Sequence, residues 1–319
     1  MTDQGQAVGL DVGGTKILAV RIAREGATLA RAEAPTPADD QRATLASMVE
    51  AARSIMTPEV LAVGVGAAGM VDVSSGILRY APNLAWRDLA IADHMRAVLG
   101  LPCQLDNDAN VAAYGEFRFG AGRGYRHVLL VAVGTGIGGG IIIDGRMFRG
   151  ANGFAAEIGH IVVEPDGPAC GCGNRGCWEQ VASGSTIGRL GRQEVGRDPG
   201  SGLARLAGGD PEAVTGALVT RAAREGDPTA VGILAEVGTR LGIGIAGLVN
   251  VLDPQVVVVG GGAIRGGELL LEPARASFAE TVEGADRRPR VPIVAAELGP
   301  DAGAVGAATL ALEELGRLP

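Results

Sequence analysis

The sequence predicts an α/β fold built from two similar halves, and two observations support this prediction. Residues 7–22 and 127–145 share one pattern: an apolar strand, a turn of glycine and threonine, and a second apolar strand. This weak internal repeat indicates two related halves. Between the repeats, helical apolar periodicity at 42–56 is followed by a buried strand at 60–67 that ends in a glycine turn. The chain has 319 residues, which is enough for two domains.

The other predicted elements complete an α/β pattern. In order, they are a short strand ending at 105–108, a helix at 109–117, a loop-rich stretch at 150–180, mostly helical residues at 186–250, a buried strand of parallel type at 255–259, and an alanine-rich helix at 302–315. No low-complexity linker separates the halves. We expect the hinge just after Asn107 and Asp108.

Composition indicates a protein of the cytoplasm. The net charge of −8 and the pI near 5.1 argue against nucleic acid or an anionic membrane as a main partner. The N-terminal residues lack the pattern of a secretory signal, and no run of eighteen apolar residues is free of charges and turn signals. In the cytoplasm, clustered cysteines are more often metal ligands than disulfides.

Three glycine-rich turns each follow an apolar strand. They are DVGGTK at 11–16, GTGIGGG at 134–140 and GGG at 260–262. Glycine lets backbone N–H groups approach a phosphate closely, and threonine adds a hydroxyl donor. None of the three has the spacing of a Walker A loop, and a tight turn explains any single one equally well. Three in succession favour a nucleotide-binding cleft.

Acidic residues follow two of the predicted strands. Asp11 could hold Mg²⁺ against the phosphates, although a cap of an Asx turn explains this residue alone more simply. Asp108 could act as a general base on a sugar hydroxyl, with Asn107 orienting the sugar. A helix N-cap is the simpler explanation for this pair when no other residue is considered.

A cluster of cysteines and one histidine predicts a zinc site. Cys170, Cys172 and Cys177 lie within eight residues, and His160 lies ten positions before the first of them. This Cys₃His set suits closed tetrahedral Zn²⁺, although the first spacing is C-x-C and a reduced surface loop is the alternative. Cys103 stands apart and is expected to be a small buried apolar residue.

Two glutamates flank the predicted zinc loop. Glu157 lies three residues before His160, and Glu179 lies two residues after Cys177. A metal-stabilised loop could aim both carboxylates at sugar hydroxyls. Taken alone, such glutamates are usually solvated surface residues.

Together these segments resemble the ROK family (repressors, open reading frames and kinases) of the actin-like sugar-kinase superfamily. The matching motifs extend over nearly the whole chain: LDVGGTK at 10–16, DNDAN at 106–110, GTGIGGG at 134–140, EIGH at 157–160, CGCGNRGCWEQVASG at 170–184, GGG at 260–262 and DAGAVGAA at 301–308. The cysteine-rich motif is most similar to that of the bacterial glucokinase branch.

The resemblance implies a two-lobed actin-like (ribonuclease H-like) sugar-kinase fold with an interlobe cleft. The small lobe would comprise residues 1–118, with the C-terminal helix 302–319 returning to it. The large lobe, residues 119–301, would carry the zinc loop. Sugar would bind between the lobes, and their closure would exclude water.

The resemblance also implies roles for individual residues. Asp108 would be the catalytic base, and the sugar-binding residues would be Asn83, Asn107, Asp108, Glu157, His160 and Glu179. His160 would serve sugar and zinc through its two ring nitrogens. The turns and the resemblance together give these nucleotide-binding residues: Asp11, Gly13, Gly14, Thr15, Lys16, Thr135, Gly136, Gly138, Gly261 and Gly262.

The expected activity is transfer of the ATP γ-phosphate to the 6-hydroxyl of glucose, with catalytic Mg²⁺ and structural Zn²⁺. A kinase for mannose, fructose or an N-acetylhexosamine is an alternative, and polyphosphate is a weaker alternative donor. A sugar-responsive repressor is disfavoured, because DVGGTK begins at Asp11 and leaves no room for a preceding helix-turn-helix domain. We expect a homo-oligomer, either a dimer or a tetramer.

Overall fold

A computed structural model describes residues 5–81 and 86–316, and contacts between residues divide the chain into two compact units. Unit 1 contains the described residues up to Leu130, then Gly140–Ala156, and those from Glu297 onward. Unit 2 contains Val131–Gly139 and Glu157–Ala296. The boundaries of these units differ from those of the two lobes expected at 1–118 and 119–301. The division into lobes stays a prediction.

The described residues contain both strands and helices, often in runs of the same kind. The strands are β1 (Gln6–Val12), β2 (Lys16–Ile22), β3 (Thr28–Pro35), β4 (Val60–Ala67), β5 (Met70–Asp72), β6 (Ile77–Tyr80), β7 (Arg87–Leu89), β8 (Cys103–Asn107), β9 (Val128–Val133), β10 (Ile137–Ile143), β11 (Arg146–Met147), β12 (Val256–Gly260) and β13 (Ile293–Ala295). The helices are α1 (Gln41–Ile55), α2 (Ile91–Leu99), α3 (Asp108–Phe119), α4 (Glu179–Ala182), α5 (Gly184–Arg197), α6 (Gly202–Leu206), α7 (Gly216–Arg224), α8 (Pro228–Leu252), α9 (Glu268–Thr281) and α10 (Ala302–Glu314).

The main sheet of unit 1 has the strand order β3-β2-β1-β4-β8. The first three strands are antiparallel neighbours, whereas β4 and β8 continue the sheet in parallel with β1. The predicted strand–turn–strand at 7–22 and strand at 60–67 are confirmed. In the register, Asp11 pairs with Gly66, and Gly66 pairs with Asp106. The parallel strands therefore bring the two acidic segments to the same edge of the sheet.

Helix α10 lies directly on the main sheet of unit 1 because glycines in the strands leave room for its backbone. A Cβ atom added to Gly9 would lie 1.8 Å from the carbonyl oxygen of Ala304, and one on Gly64 would lie 1.8 Å from that of Ala307. These contacts bring the C-terminal helix, predicted at 302–315, onto the strand that carries Asp11.

Replacing Gly64 with alanine should destabilise the protein by about 1–3 kcal/mol, because the added methyl group must displace the α10 backbone. Chemical unfolding monitored by circular dichroism measures this change. Gly247→Ala is the matched control: that glycine is exposed on α8 with no atom within 4 Å of its added Cβ, so alanine should be neutral or stabilising. Equal midpoints for the unaltered chain and Gly64→Ala would contradict the close packing.

A second five-stranded sheet has the order β11-β10-β9-β12-β13, and the division between the units falls within β9 and β10. Strands β12 and β13 are parallel, which confirms the parallel strand predicted at 255–259. The helices of unit 2 include the long α8, which packs against α7 and α9. Among the described residues, α8 is the helix long and apolar enough to cross a bilayer, with mean hydropathy 1.5. Half of its most apolar window is buried inside the structure.

Candidate active site

Asn107 and Asp108 lie where β8 meets α3, and their side chains have different structural roles. Asn107 caps the helix: its Oδ1 accepts hydrogen bonds from the backbone N–H groups of Ala109 and Asn110, at 2.9 and 3.2 Å. Its Nδ2 donates to the Gly69 carbonyl oxygen at 3.0 Å. Asp108 occupies the first helical position, where its Oδ1 also accepts from the Ala109 N–H. The N-cap role therefore belongs to Asn107.

The Asp108 carboxylate acts electrostatically on Asp11. Burial raises the pKa of Asp11 to about 7, with a further rise from the Asp108 carboxylate and an opposing effect of Lys16. Burial also raises the pKa of Asp108, against the lowering effect of hydrogen bonds at the start of α3. Both side chains are half-buried, so they remain open to a ligand. Two interacting carboxylates of this kind suit a divalent cation, a proton transfer, or both.

Replacing Asp11 with asparagine should raise the melting temperature more at pH 8 than at pH 5.5. As the pH rises from 3.8, the unfolded carboxyl loses its proton before the folded one, whose pKa is about 7. The unaltered chain therefore loses stability across this window, and the asparagine variant does not. Thermal melts without added Mg²⁺ measure the difference. A gain that is the same at both pH values would contradict the raised pKa.

The first glycine turn of unit 1 is held from one side by Thr36. The Thr36 hydroxyl donates to the Gly13 carbonyl oxygen at 2.8 Å. The Thr36 backbone N–H donates to the Thr15 carbonyl oxygen at 3.1 Å. Gly14 and Thr15 are exposed at the tip of the turn. Lys16 begins β2, and its Nζ lies 3.1 Å from an oxygen of Glu33. The turn thus presents backbone and hydroxyl donors to solvent beside Asp11.

Unit 2 contains a cavity of about 1060 Å³ with helix N-termini in its wall. Helix α5 begins there at Gly184 after the cap Ser183, and α7 begins there at Gly216 after the cap Thr215. Helix N-termini favour anions. The lining residues are Gly134, Thr135, Gly184, Ser185, Ile187, Gly188, Arg192, Thr215, Gly216, Ala217, Thr220, Arg221, Arg224, Glu225, Gly262, Ala263 and Arg265.

Two of the predicted nucleotide-binding residues, Thr135 and Gly262, line this cavity. Gly138 lies within β10, and Gly261 brings the end of β12 close to β9, with a φ of 82°. Sequence reasoning missed the contributions of α5 and α7. The available signal was a serine or threonine followed by glycine at the start of each helix, a typical N-cap pattern.

The predicted zinc ligands converge. One ligand atom from each of His160, Cys170, Cys172 and Cys177 lies within 4.8 Å of the others. The Sγ atoms of Cys172 and Cys177 are 3.6 Å apart, and the Cys170 Sγ is 3.6 Å from the His160 Nδ1. Zinc bonds of about 2.0–2.3 Å in a tetrahedron require ligand separations of roughly 3.3–3.8 Å. The four side chains therefore fit Zn²⁺.

The loop that carries these ligands is wound tightly by backbone hydrogen bonds. The Cys170 N–H donates to the Asn174 carbonyl oxygen at 2.8 Å, and the Gly173 N–H donates to the Cys170 carbonyl oxygen at 3.0 Å. Burial raises the pKa of Cys177 to about 12, whereas hydrogen bonding from the Asn174 backbone lowers the pKa of exposed Cys172. A bound metal ion would have to displace the thiol protons, so its binding should depend on pH.

Glu179 connects the cysteine cluster to the second glycine turn. Its Oε1 lies 3.1 Å from the Cys170 Sγ and 3.7 Å from the His160 Nδ1. A Cβ atom added to Gly136 would lie 2.2 Å from the Glu179 Oε2, so a side chain at position 136 would have to displace this carboxylate. Since the His160 Nδ1 faces the cysteines, its Nε2 remains for another partner. The arrangement places one carboxylate between the candidate zinc ligands and the second glycine turn.

The two other predicted sugar contacts can be located only in part. Glu157 is exposed, and it precedes a short 3₁₀ turn at Ile158–His160. Its carbonyl oxygen accepts the His160 N–H at 3.1 Å, which ties it to the metal loop. Asn83 lies outside the described residues.

Comparison with known proteins assigns the chain to a family. A sequence model of the ROK family matches residues 7–314. The chain belongs to the ROK family. This ROK protein is 43% identical over 313 residues to the glucokinase of Streptomyces coelicolor. The aligned region covers 97% of this chain and 98% of the relative. It is 35% identical over 322 residues to the glucokinase of Thermotoga maritima, with 97% and 98% coverage.

The fold of this ROK protein is also similar to that of a solved relative. The structure of a ROK family glucokinase from Streptomyces griseus in complex with glucose and AMPPNP superimposes with a TM-score of 0.89 at 42% identity. The superposition covers 97% of this chain and all of the other. This likeness confirms the predicted actin-like α/β fold class and the family resemblance.

Proposed function

We propose that this ROK protein is a glucokinase that transfers the γ-phosphate of ATP to the 6-hydroxyl of glucose. The observation that supports this most is the likeness, over almost the full length of both chains, to a glucokinase crystallised with glucose and AMPPNP. The pair Asp11 and Asp108 adds local support, because the Asp108 carboxylate raises the pKa of Asp11 and phosphoryl transfer needs a base and a cation-binding carboxylate in one place.

In the proposed reaction, Asp108 accepts the proton of the 6-hydroxyl while the sugar oxygen attacks the γ-phosphorus. The new O–P bond forms as the bond between the γ-phosphorus and the bridging oxygen of ADP breaks, and ADP carries away that electron pair. Asn107 is a proposed partner of the sugar: its Nδ2 carries two N–H groups, of which one donates to the Gly69 carbonyl oxygen. Glu157, His160 and Glu179 are the proposed partners of the other sugar hydroxyls.

Donor groups for the nucleotide are proposed in each unit separately. Thr15 and Gly14 offer donors in unit 1, and the unit 2 cavity offers Thr135 and the N-termini of α5 and α7. Asp11 is the proposed holder of Mg²⁺, which would neutralise phosphate charge when bound. Zinc at the cysteine cluster is proposed as structural. A cytoplasmic location and a homo-oligomeric state, dimer or tetramer, also remain proposals.

Steady-state kinetics on a panel of sugars and donors tests the function. Glucose with ATP and Mg²⁺ should give a higher kcat/KM than mannose, fructose or N-acetylglucosamine, and ATP should exceed polyphosphate as donor. A higher kcat/KM for any other sugar would replace glucose as the substrate. Sequence-specific DNA binding without kinase activity would instead support the repressor alternative.

A further inference from the structure

A buried carboxylate lies two residues before the proposed base in the chain. Asp106, at 1% exposure, precedes Asn107 and Asp108 at the end of β8. Its Oδ2 is 2.7 Å from both Nε and Nη2 of Arg149, a residue distant in sequence. Its Oδ1 accepts the backbone N–H of Asn107 at 2.8 Å and the Asn110 Nδ2 at 3.0 Å. Both oxygens are therefore fully used.

This arrangement is a costly way to stabilise a protein. A buried ion pair often contributes no more than an apolar pair of similar volume. Asn110 is itself 1% exposed, and its Oδ1 has no hydrogen-bond partner among the described residues. A buried acceptor without a partner destabilises the folded chain. The polar groups that contact Asp106 are thus better explained by what they hold in place than by stability.

Arg149 is itself held by the loop that follows it. Its carbonyl oxygen accepts the Ala155 N–H at 3.1 Å, which closes the loop. Within the loop, Gly153 has a φ of 86° and lies so close to Val71 that an added Cβ would be 2.8 Å from its carbonyl oxygen. The loop ends at Ala156, whose φ of 70° is uncommon for a residue with a side chain. Glu157, a proposed sugar contact, comes next in the chain.

We propose that Arg149 is a positioning residue for phosphoryl transfer. By orienting the Asp106 carboxylate, Arg149 holds the Asn107 N–H and the first turn of α3, and so sets the direction of the Asp108 side chain. The same guanidinium anchors the start of the loop that leads to Glu157. This inference rests on the proposed kinase function, in which Asp108 is the base.

Arg149→Met keeps the length of the side chain and removes its charge and donors. Measured well below the melting temperature, its kcat should fall by roughly 10–100-fold, because small misplacements of a reacting group have effects of this size. The KM for ATP should change by less than about twofold, since the altered segment orients the base. Arg149→Lys restores the charge without the fork of donors and should give an intermediate kcat.

Two further variants separate positioning from stability. Asp106→Asn combined with Arg149→Met removes the uncompensated buried charge, so it should melt higher than Arg149→Met alone while its kcat stays low. Arg126→Met is the matched control, because Arg126 pairs with Asp144 on the surface of the same unit, with both side chains at least 67% exposed. The control should keep the kcat of the unaltered chain.

Unchanged kcat in folded Arg149→Met would overturn the proposal, as would a double variant that regains full kcat together with its stability. The kcat of each variant is compared with that of the unaltered chain, using the hexose that the unaltered chain phosphorylates best. A best substrate other than glucose would therefore defeat the proposed function separately, while the ratio for Arg149 would still test the positioning role.

Discussion

Asp108→Asn should lower kcat by roughly 10²–10⁴-fold, the usual contribution of a general base. Asparagine preserves the size and polarity of the side chain but cannot accept the proton of the sugar hydroxyl. The KM for ATP should change little, and that for glucose modestly, because one hydrogen bond to the sugar is altered. Steady-state kinetics with each substrate varied in turn measures these effects.

The structure makes this substitution a sharp test because Asp108 is not the helix cap. The cap is Asn107, so the asparagine at position 108 leaves the capping bonds unchanged. Burial raises the pKa of Asp108, so removing its charge should also increase stability at pH 8. A variant that melts higher and has lost its kcat shows the trade between stability and function expected at an active site.

Asp40→Asn is the matched control for this prediction. Asp40 caps α1 in the same unit by accepting the N–H groups of Arg42 and Ala43, and asparagine is an equally good cap. The control should retain both stability and kcat. If Asp108→Asn also retained most of its kcat, the mechanism would lack its proton acceptor and another base would have to be found.

Cys172→Ala should reduce bound zinc from about one ion per chain to near zero and lower kcat by roughly 10–100-fold. Three remaining ligands give an open site with much weaker affinity. The melting temperature should also fall, because metal binding to such a loop contributes directly to folding. Elemental analysis of protein purified without added metal, together with kinetics, measures both outcomes.

The expected loss of activity follows from the position of Glu179. In the structure, the Cys170 thiol donates to the Glu179 Oε1 at 3.1 Å. A metal-bound thiolate has no proton to donate, so coordination would release this oxygen for a sugar hydroxyl. Beyond Glu179, the chain returns to the second glycine turn: the Gly184 N–H donates to the Gly134 carbonyl oxygen at 2.8 Å. Loss of the metal should therefore disturb sugar and nucleotide groups together.

Cys103→Ala is the control for the zinc prediction. Cys103 is buried in the core of unit 1, as predicted, and burial raises the pKa of its thiol to about 12. Its removal should cost some stability while leaving the zinc content and kcat unchanged. Fully active protein with no zinc, before any substitution, would rule out the metal site.

The sequence by itself determined the local features of this protein. Apolar runs next to glycine-rich turns predicted β1, β2, β4 and β12, because strand and turn conformations depend mainly on neighbouring residues. The zinc ligands were predictable for the same reason: three of the four lie within eight residues of one another. The elements missed by the sequence analysis have weak local signals. In β3 the inward positions are alanines, and α9 contains Pro273.

Only the tertiary structure decided which distant residues act together. Parallel pairing through β4 brings Asp11 to the level of Asp106, and this pairing depends on packing across the whole sheet. The ion pair between Asp106 and Arg149 joins residues 43 positions apart and leaves no local pattern in the sequence. The cap at Asn107 was likewise settled by backbone geometry, since Asn and Asp cap helices about equally well. Local sequence preferences therefore specified the strands, turns and candidate zinc ligands. Packing between distant segments brought the acidic residues and Arg149 together.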